Sequence, residues 1–123
     1  MAETDHELEV LLSLDGLEFQ FGGGYRVKIA AQRVAATKGR PHGLKYSLTL
    51  HDEHTGRRIY GLDNAHAVSR RRHEFDHRHV YSLPRTRSGG RGRIVPYAYT
   101  GPAELLADFY REVERILKER GAL

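Results

Sequence analysis

Two short blocks in the middle of the chain carry side chains able to do chemistry. Between Leu62 and His79 the sequence reads Leu-Asp-Asn-Ala-His-Ala-Val-Ser-Arg-Arg-Arg-His-Glu-Phe-Asp-His-Arg-His. Those eighteen residues hold four histidines, four arginines and three acids. Imidazoles move protons near neutral pH, and guanidiniums grip phosphates through paired hydrogen bonds. So few of these residues are apolar that the segment is expected to stay out of the core. The first block is Asp63-Asn64 with His66, and the second is Asp76-His77-Arg78-His79.

The second block is the more pointed. In extended backbone His77 and His79 fall on one side and Asp76 and Arg78 on the other. Two neighbouring imidazoles can divide acid and base duties, because one charged ring lowers the pKa of the other. A metal-free ribonuclease needs a base for the ribose 2′-hydroxyl, an acid for the leaving 5′-oxygen and a cation at the phosphorane. His77 and His79 are expected to trade the protons, with His66 as a third candidate. Asp63 and Asp76 are expected to orient imidazoles. Asn64, Arg70, Arg71, Arg72 and Arg78 are the expected substrate contacts, with Arg72 and Arg78 on the scissile phosphate. The plainer alternative is a solvated basic loop that binds phosphate without chemistry, with Asp63-Asn64 acting only as a turn.

The same side chains offer a metal alternative. Asp63, His66, Asp76, His77 and His79 supply the N and O donors typical of a divalent ion such as Zn or Mn. The surrounding arginines oppose a cation, so the leading expectation has no cofactor. His73-Glu74-Phe75-Asp76-His77 also matches H-E-x-x-H, which binds zinc only when a helix turns both histidines to one face. The segment has no apolar stripe and Pro84 follows closely, so the match is read as coincidence.

Charge points to a polyanion. Net charge is +4 over 123 residues. Residues 1–25 hold six acids and no Lys or Arg, residues 26–93 hold sixteen Lys/Arg against five acids, and residues 94–123 hold four against five. An excess of eleven cations in the middle section is the footprint of a phosphate-rich partner such as RNA. There is no cysteine, which rules out disulfides and thiolate metal sites and fits a reducing compartment. No signal peptide and no run of about 20 apolar residues is visible, so a soluble cytoplasmic protein with no membrane partner is expected.

The elements that must position these groups are legible from periodicity. A single domain over residues 1–123 is expected. Residues 8–21 read first as a hairpin around Asp15-Gly16, with a short helix as the alternative. A sheet is expected over 25–62: Tyr25, Val27, Ile29 and Ala31 share one face, as do Leu44, Tyr46, Leu48 and Leu50, and Arg58 to Leu62 is a third strong strand. The site segment spans 63–79, a brief return to strand follows at Val80-Tyr81, and 85–93 is a flexible basic loop. Ile94 to Tyr99 reads as an edge strand, because Pro96 has no N–H to give a central ladder. If any tyrosines stack on bases, Tyr81, Tyr97 and Tyr99 are the candidates. A helix over 102–119 starts at Pro102 and carries the stripe Leu105, Leu106, Phe109, Val113, Ile116 and Leu117. The class is α+β: an antiparallel sheet of four to six strands packed by a C-terminal helix.

In this order, Gly43-Leu44-Lys45-Tyr46-Ser47-Leu48-Thr49-Leu50, the Asp63-Asn64-Ala65-His66 block, the Asp76-His77-Arg78-His79 block, Pro96-Tyr97 and the Pro-led helix resemble the TumE-type toxin family, from about Tyr25 to Leu117. The resemblance implies a growth-inhibiting toxin neutralised by a helix-turn-helix antitoxin encoded beside it. It also implies a possible RelE-like relationship to small endoribonucleases, by fold analogy alone. Its most distinctive positions are Asp63, Asn64, His66, Asp76, His77 and His79. This chain departs by inserting Arg70-Arg71-Arg72 and a Gly/Arg loop. Two other function classes stay open: a non-catalytic RNA- or DNA-binding module, and a metal-dependent nuclease or phosphotransferase using the same Asp/His set.

Overall fold

A computed structural model describes residues 2–37, 42–64, 77–80 and 93–123, with backbone alone at 2–5, 77–80 and 93–94. The order is α1 (Ala2–Ser13), β1 (Glu18–Gln20), β2 (Tyr25–Arg33), β3 (Leu44–Asp52), β4 (Arg58–Asp63), β5 (His77–Val80), β6 (Arg93–Pro96) and α2 (Pro102–Glu119). The six strands form one antiparallel meander in chain order. The class is α+β, with the C-terminal helix packed on the sheet.

The core follows from strand alternation. Val27, Ile29 and Ala31 on β2, Tyr46, Leu48 and Leu50 on β3, and Tyr60 and Leu62 on β4 are all buried and adjoin in register. Against this face α2 lays Leu105, Phe109, Val113, Ile116 and Leu117, with the Phe109 ring stacked 6.0 Å from that of Tyr60. Burying each such side chain stabilises the fold by about 1.5–3 kcal/mol. The helix ends are set chemically. Pro102 begins α2 and Glu104 lies in its first turn. At the far end Gly121, at φ 74°, allows the Ala122 N–H to reach the Leu117 carbonyl at 2.8 Å and the Gly121 N–H to reach that of Lys118 at 3.1 Å.

Residues 8–13 form the end of α1, with Leu14 in the turn after it, and not the first arm of a hairpin. Leu8, Leu11 and Leu12 recur at helical spacing, and Leu11 is completely buried in the shared core. The Asp15-Gly16 pair therefore joins a helix to a strand. Its groups bind the margin of β2: the Gly16 N–H donates to the Ile29 carbonyl at 2.8 Å, and Asp15 Oδ1 accepts from the Ala31 N–H at 2.9 Å. The sheet also runs past the 25–62 span read from periodicity, through β5 and β6. The Pro96-bearing strand lies at the sheet edge, where a missing N–H breaks no inner ladder. Both described helices cover one face of the sheet; the opposite face, the helix-free face, carries no helix among the described residues. Among the described residues no helix is long and apolar enough to cross a membrane.

Candidate functional site

The site is assembled by strand register on the helix-free face. Alternation puts the core residues of β2 to β4 on the helix side, so the intervening positions form rows on the other. One row runs Ala30, Ser47, Asp63 and His77 across β2, β3, β4 and β5. The next runs Lys28, Thr49, Gly61 and His79. Asp63 and His77 are direct partners across β4 and β5, so their Cα atoms are about 4.5–5.5 Å apart. Thus the first acid of one block meets the first histidine of the other, and His79 lies one row away. Arg78 pairs with Leu62 and takes the alternate row.

Asp63 is almost fully buried, and its Oδ2 lies 3.8 Å from Arg58 Nη1. A local irregularity sets up that approach. The β3–β4 register shifts between Leu50 and His51, so Leu50 faces Tyr60 while His51 faces Arg58 and Ile59 is the extra residue. Such a bulge re-aims side chains at a strand start. Arg58 then runs back over Gly61 toward Asp63. A Cβ built on Gly61 would meet Thr49 Cγ2 at 3.2 Å and Arg58 Cδ at 3.6 Å. Glycine at position 61 leaves that path open.

Asn64, read in the sequence as a substrate contact, is held by the backbone of β3. It is fully buried. Its Oδ1 accepts from the Tyr46 N–H at 2.9 Å, its Nδ2 donates to the Leu44 carbonyl at 2.8 Å, and its own N–H reaches the Tyr46 carbonyl at 3.1 Å. The side-chain amide thereby extends the β3–β4 ladder past the last residue of β4. Leu62, Asp63 and Asn64 are all buried, so the start of the His/Arg segment is core after all. The reason is that β4 has sheet neighbours on both sides, which composition alone does not reveal.

His66, Asp76, Arg70, Arg71 and Arg72 lie outside the described residues, as do Tyr81 and most of the basic loop at 85–93. Tyr97 is buried with its hydroxyl donating to Asp108 Oδ2 at 2.5 Å. Tyr99 is half-buried, stacked 5.7 Å from Tyr46 and 4.3 Å from His42. Both rings are committed to packing.

Sequence reasoning missed His51, Lys28 and Arg58. They stand together on the helix-free face beside a depression of about 200 Å³, which Arg26, Lys28, His51, Asp52, Glu53 and Gly56 line. His51 Nε2 is 2.8 Å from Thr49 Oγ1. Burial pushes the His51 imidazole below its ordinary value; Lys28 and Arg58 add repulsion, while a hydrogen bond with the Gly56 backbone and the charge of Glu18 oppose them. The ring is therefore neutral at neutral pH. The signal was present: in a strand whose even positions are core, the odd ones, Lys45 to His51, must face away. What stands beside them depends on register.

A family model described as the toxin TumE matches residues 7–117, a span that reaches from α1 into α2. The chain belongs to the TumE toxin family. No curated protein and no solved structure matches it. Membership in the TumE family makes the chain a toxin of a toxin–antitoxin system and implies an antitoxin partner. The matched span contains all six strands and both Asp/His blocks, so the helix-free face lies within the part of the chain that the TumE family defines.

Proposed function

We propose that this toxin is a metal-independent endoribonuclease whose centre is the Asp63–His77 pairing. His77 and His79 divide the proton transfers: one takes the 2′-hydroxyl proton and the other protonates the departing 5′-oxygen. Asp63 holds the imidazole at position 77 in one tautomer, the usual task of a carboxylate beside a catalytic histidine. His66 and Asp76 complete the centre. Arg70, Arg71, Arg72 and Arg78 supply the cations for the phosphodiester, and neutralisation is by a helix-turn-helix antitoxin.

The single observation that carries this reading is the register that sets Asp63 opposite His77. Asp63 and His77, fourteen positions apart in sequence, form one ladder pair next to a guanidinium. The excess of eleven cations over residues 26–93 suits an RNA substrate. Purified toxin incubated with total RNA tests it. Cleavage that persists in EDTA and leaves 2′,3′-cyclic phosphate and 5′-hydroxyl ends is the expected result. Intact RNA under every condition, or cleavage abolished by EDTA, overturns it.

A further inference from the structure

We infer that the bond between Tyr97 and Asp108 is a positioning contact for His77, tying the outer neighbour of the histidine strand to the core helix. The inference deepens the ribonuclease reading, on which its consequence for rate rests. It adds two residues that neither Asp/His block contains.

Register places His77 between two partners. Asp63 of β4 stands on one side and Pro96 of β6 on the other. Each partner is followed in the chain by a buried residue with a side-chain anchor. After Asp63 comes Asn64, whose amide is bonded to the Tyr46 N–H and the Leu44 carbonyl of β3. After Pro96 comes Tyr97, whose hydroxyl donates to Asp108 Oδ2 at 2.5 Å. The other oxygen of Asp108 lies 3.1 Å from Arg111 Nη1. Asp108 follows Leu105 by one helical turn and precedes Phe109, both completely buried, so the acceptor is carried by the part of α2 fixed in the core. The row that holds His77 is thus fastened on both sides, to β3 through Asn64 and to α2 through Tyr97.

The outer fastening matters because the ladder there is weak. β5 and β6 have four residues each, and among the described residues β6 has a strand neighbour on one side only. Pro96 has no N–H, so it cannot donate to His77 where the two pair. The ends of short edge strands open locally at low cost. A phenol hydroxyl on a carboxylate is a charge-assisted bond, stronger than a neutral one. It supplies at position 97 a tether that the ladder lacks at position 96. Proton transfer needs its groups held to within about 0.5 Å of the productive geometry. Tyr97 and Asp108 act through the backbone at position 77 and not on the substrate.

The test uses the full-length toxin, first without RNA. Tyr97→Phe keeps the ring and deletes the hydroxyl. Deuterium exchange read by mass spectrometry is expected to quicken about tenfold over residues 77–80 and 93–97 and to stay unchanged over 25–33 and 44–52. The imidazole nitrogen resonances of His77, assigned with His77→Ala, are expected to move. Asp108→Ala should repeat both effects, and Asp108→Asn, which keeps an acceptor oxygen for the hydroxyl, should restore most of the wild-type exchange. Tyr110→Phe removes another phenol from the same region and should leave residues 77–80 unchanged. With a fluorogenic RNA, Tyr97→Phe is expected to lower kcat about tenfold at an unchanged KM. Wild-type exchange over 77–80 with an unmoved His77 resonance, in both Tyr97→Phe and Asp108→Ala, overturns the inference. So does exchange that quickens equally over every strand, because the bond then holds the fold and not this strand. Wild-type kcat in a variant whose strand has loosened overturns the positioning role and leaves the ribonuclease standing. Intact RNA with the wild-type protein removes the ribonuclease alone, since exchange and resonance are read without RNA.

Discussion

Asp63 and His77 face each other across adjacent antiparallel strands, one at the end of β4 and the other at the start of β5. Everything from Ala65 to Asp76 is the connection that returns the chain to this point. The register thus sets Asp63, nearly fully buried and with Oδ2 3.8 Å from Arg58 Nη1, opposite the backbone position of the first histidine of the second block.

That pairing predicts the outcome of conservative changes. On the ribonuclease proposal, Asp63→Asn keeps the shape and removes the charge that would fix an imidazole tautomer. On the same proposal, His77→Ala and His79→Ala would each remove a proton carrier. Each is expected to lower RNA cleavage by about 100-fold or more and to relieve growth arrest on expression. Cleavage rates on a fluorogenic RNA, with circular dichroism to check folding, decide the matter. Wild-type rates in both histidine variants remove the acid–base proposal.

Asn64 is predicted to matter for stability first. Asn64→Ala leaves the buried Tyr46 N–H and Leu44 carbonyl without their amide partners, at a cost of about 2–4 kcal/mol. Urea unfolding should show a lower midpoint with little change in slope. A fully stable but inactive variant would instead restore the substrate-contact role.

Gly61 makes a packing prediction. Gly61→Ala places a methyl 3.2 Å from Thr49 Cγ2 and against the Arg58 stem. Either neighbour must shift, at about 1–3 kcal/mol, and Arg58 is drawn away from Asp63. Thermal denaturation measures the first effect. The second appears as a larger fall in cleavage than the stability loss explains, which Gly61→Ala in an Arg58→Lys background should not repeat in full.

His51 makes a pH prediction with a definite sign. Its folded-state pKa lies below the ordinary 6.5, so the unfolded chain binds the proton more readily. Its contribution to stability is complete above about 6.5 and fades as pH falls through the folded-state value. The melting temperature of the wild type should therefore drop on acidification below that point more steeply than that of His51→Gln. Parallel pH profiles for the two proteins would contradict the burial argument.

Much of the fold could be read locally. The alternation of Val27, Ile29 and Ala31, and of Leu44 through Leu50, marked which side of each strand is core, and the Leu105–Leu117 stripe with Pro102 and Gly121 marked α2. The exception was residues 8–14, where five apolar side chains in seven positions satisfy both helical and strand periods. Only contact of Leu11 with the core favours the helix. The two Asp/His blocks were visible by composition, but the groups around them were not.

The sequence by itself determined the chemistry available and the side of its own strand on which each residue falls, because those depend on residue type and on a period of two. Tertiary structure decided which residues became neighbours: Asp63 with His77, Arg58 with Asp63 across Gly61, and Asn64 with the β3 backbone. These are non-local pairings. A ladder slipped by one residue would keep every local pattern and exchange the rows, so only the packing of the whole sheet against α1 and α2 selects the arrangement.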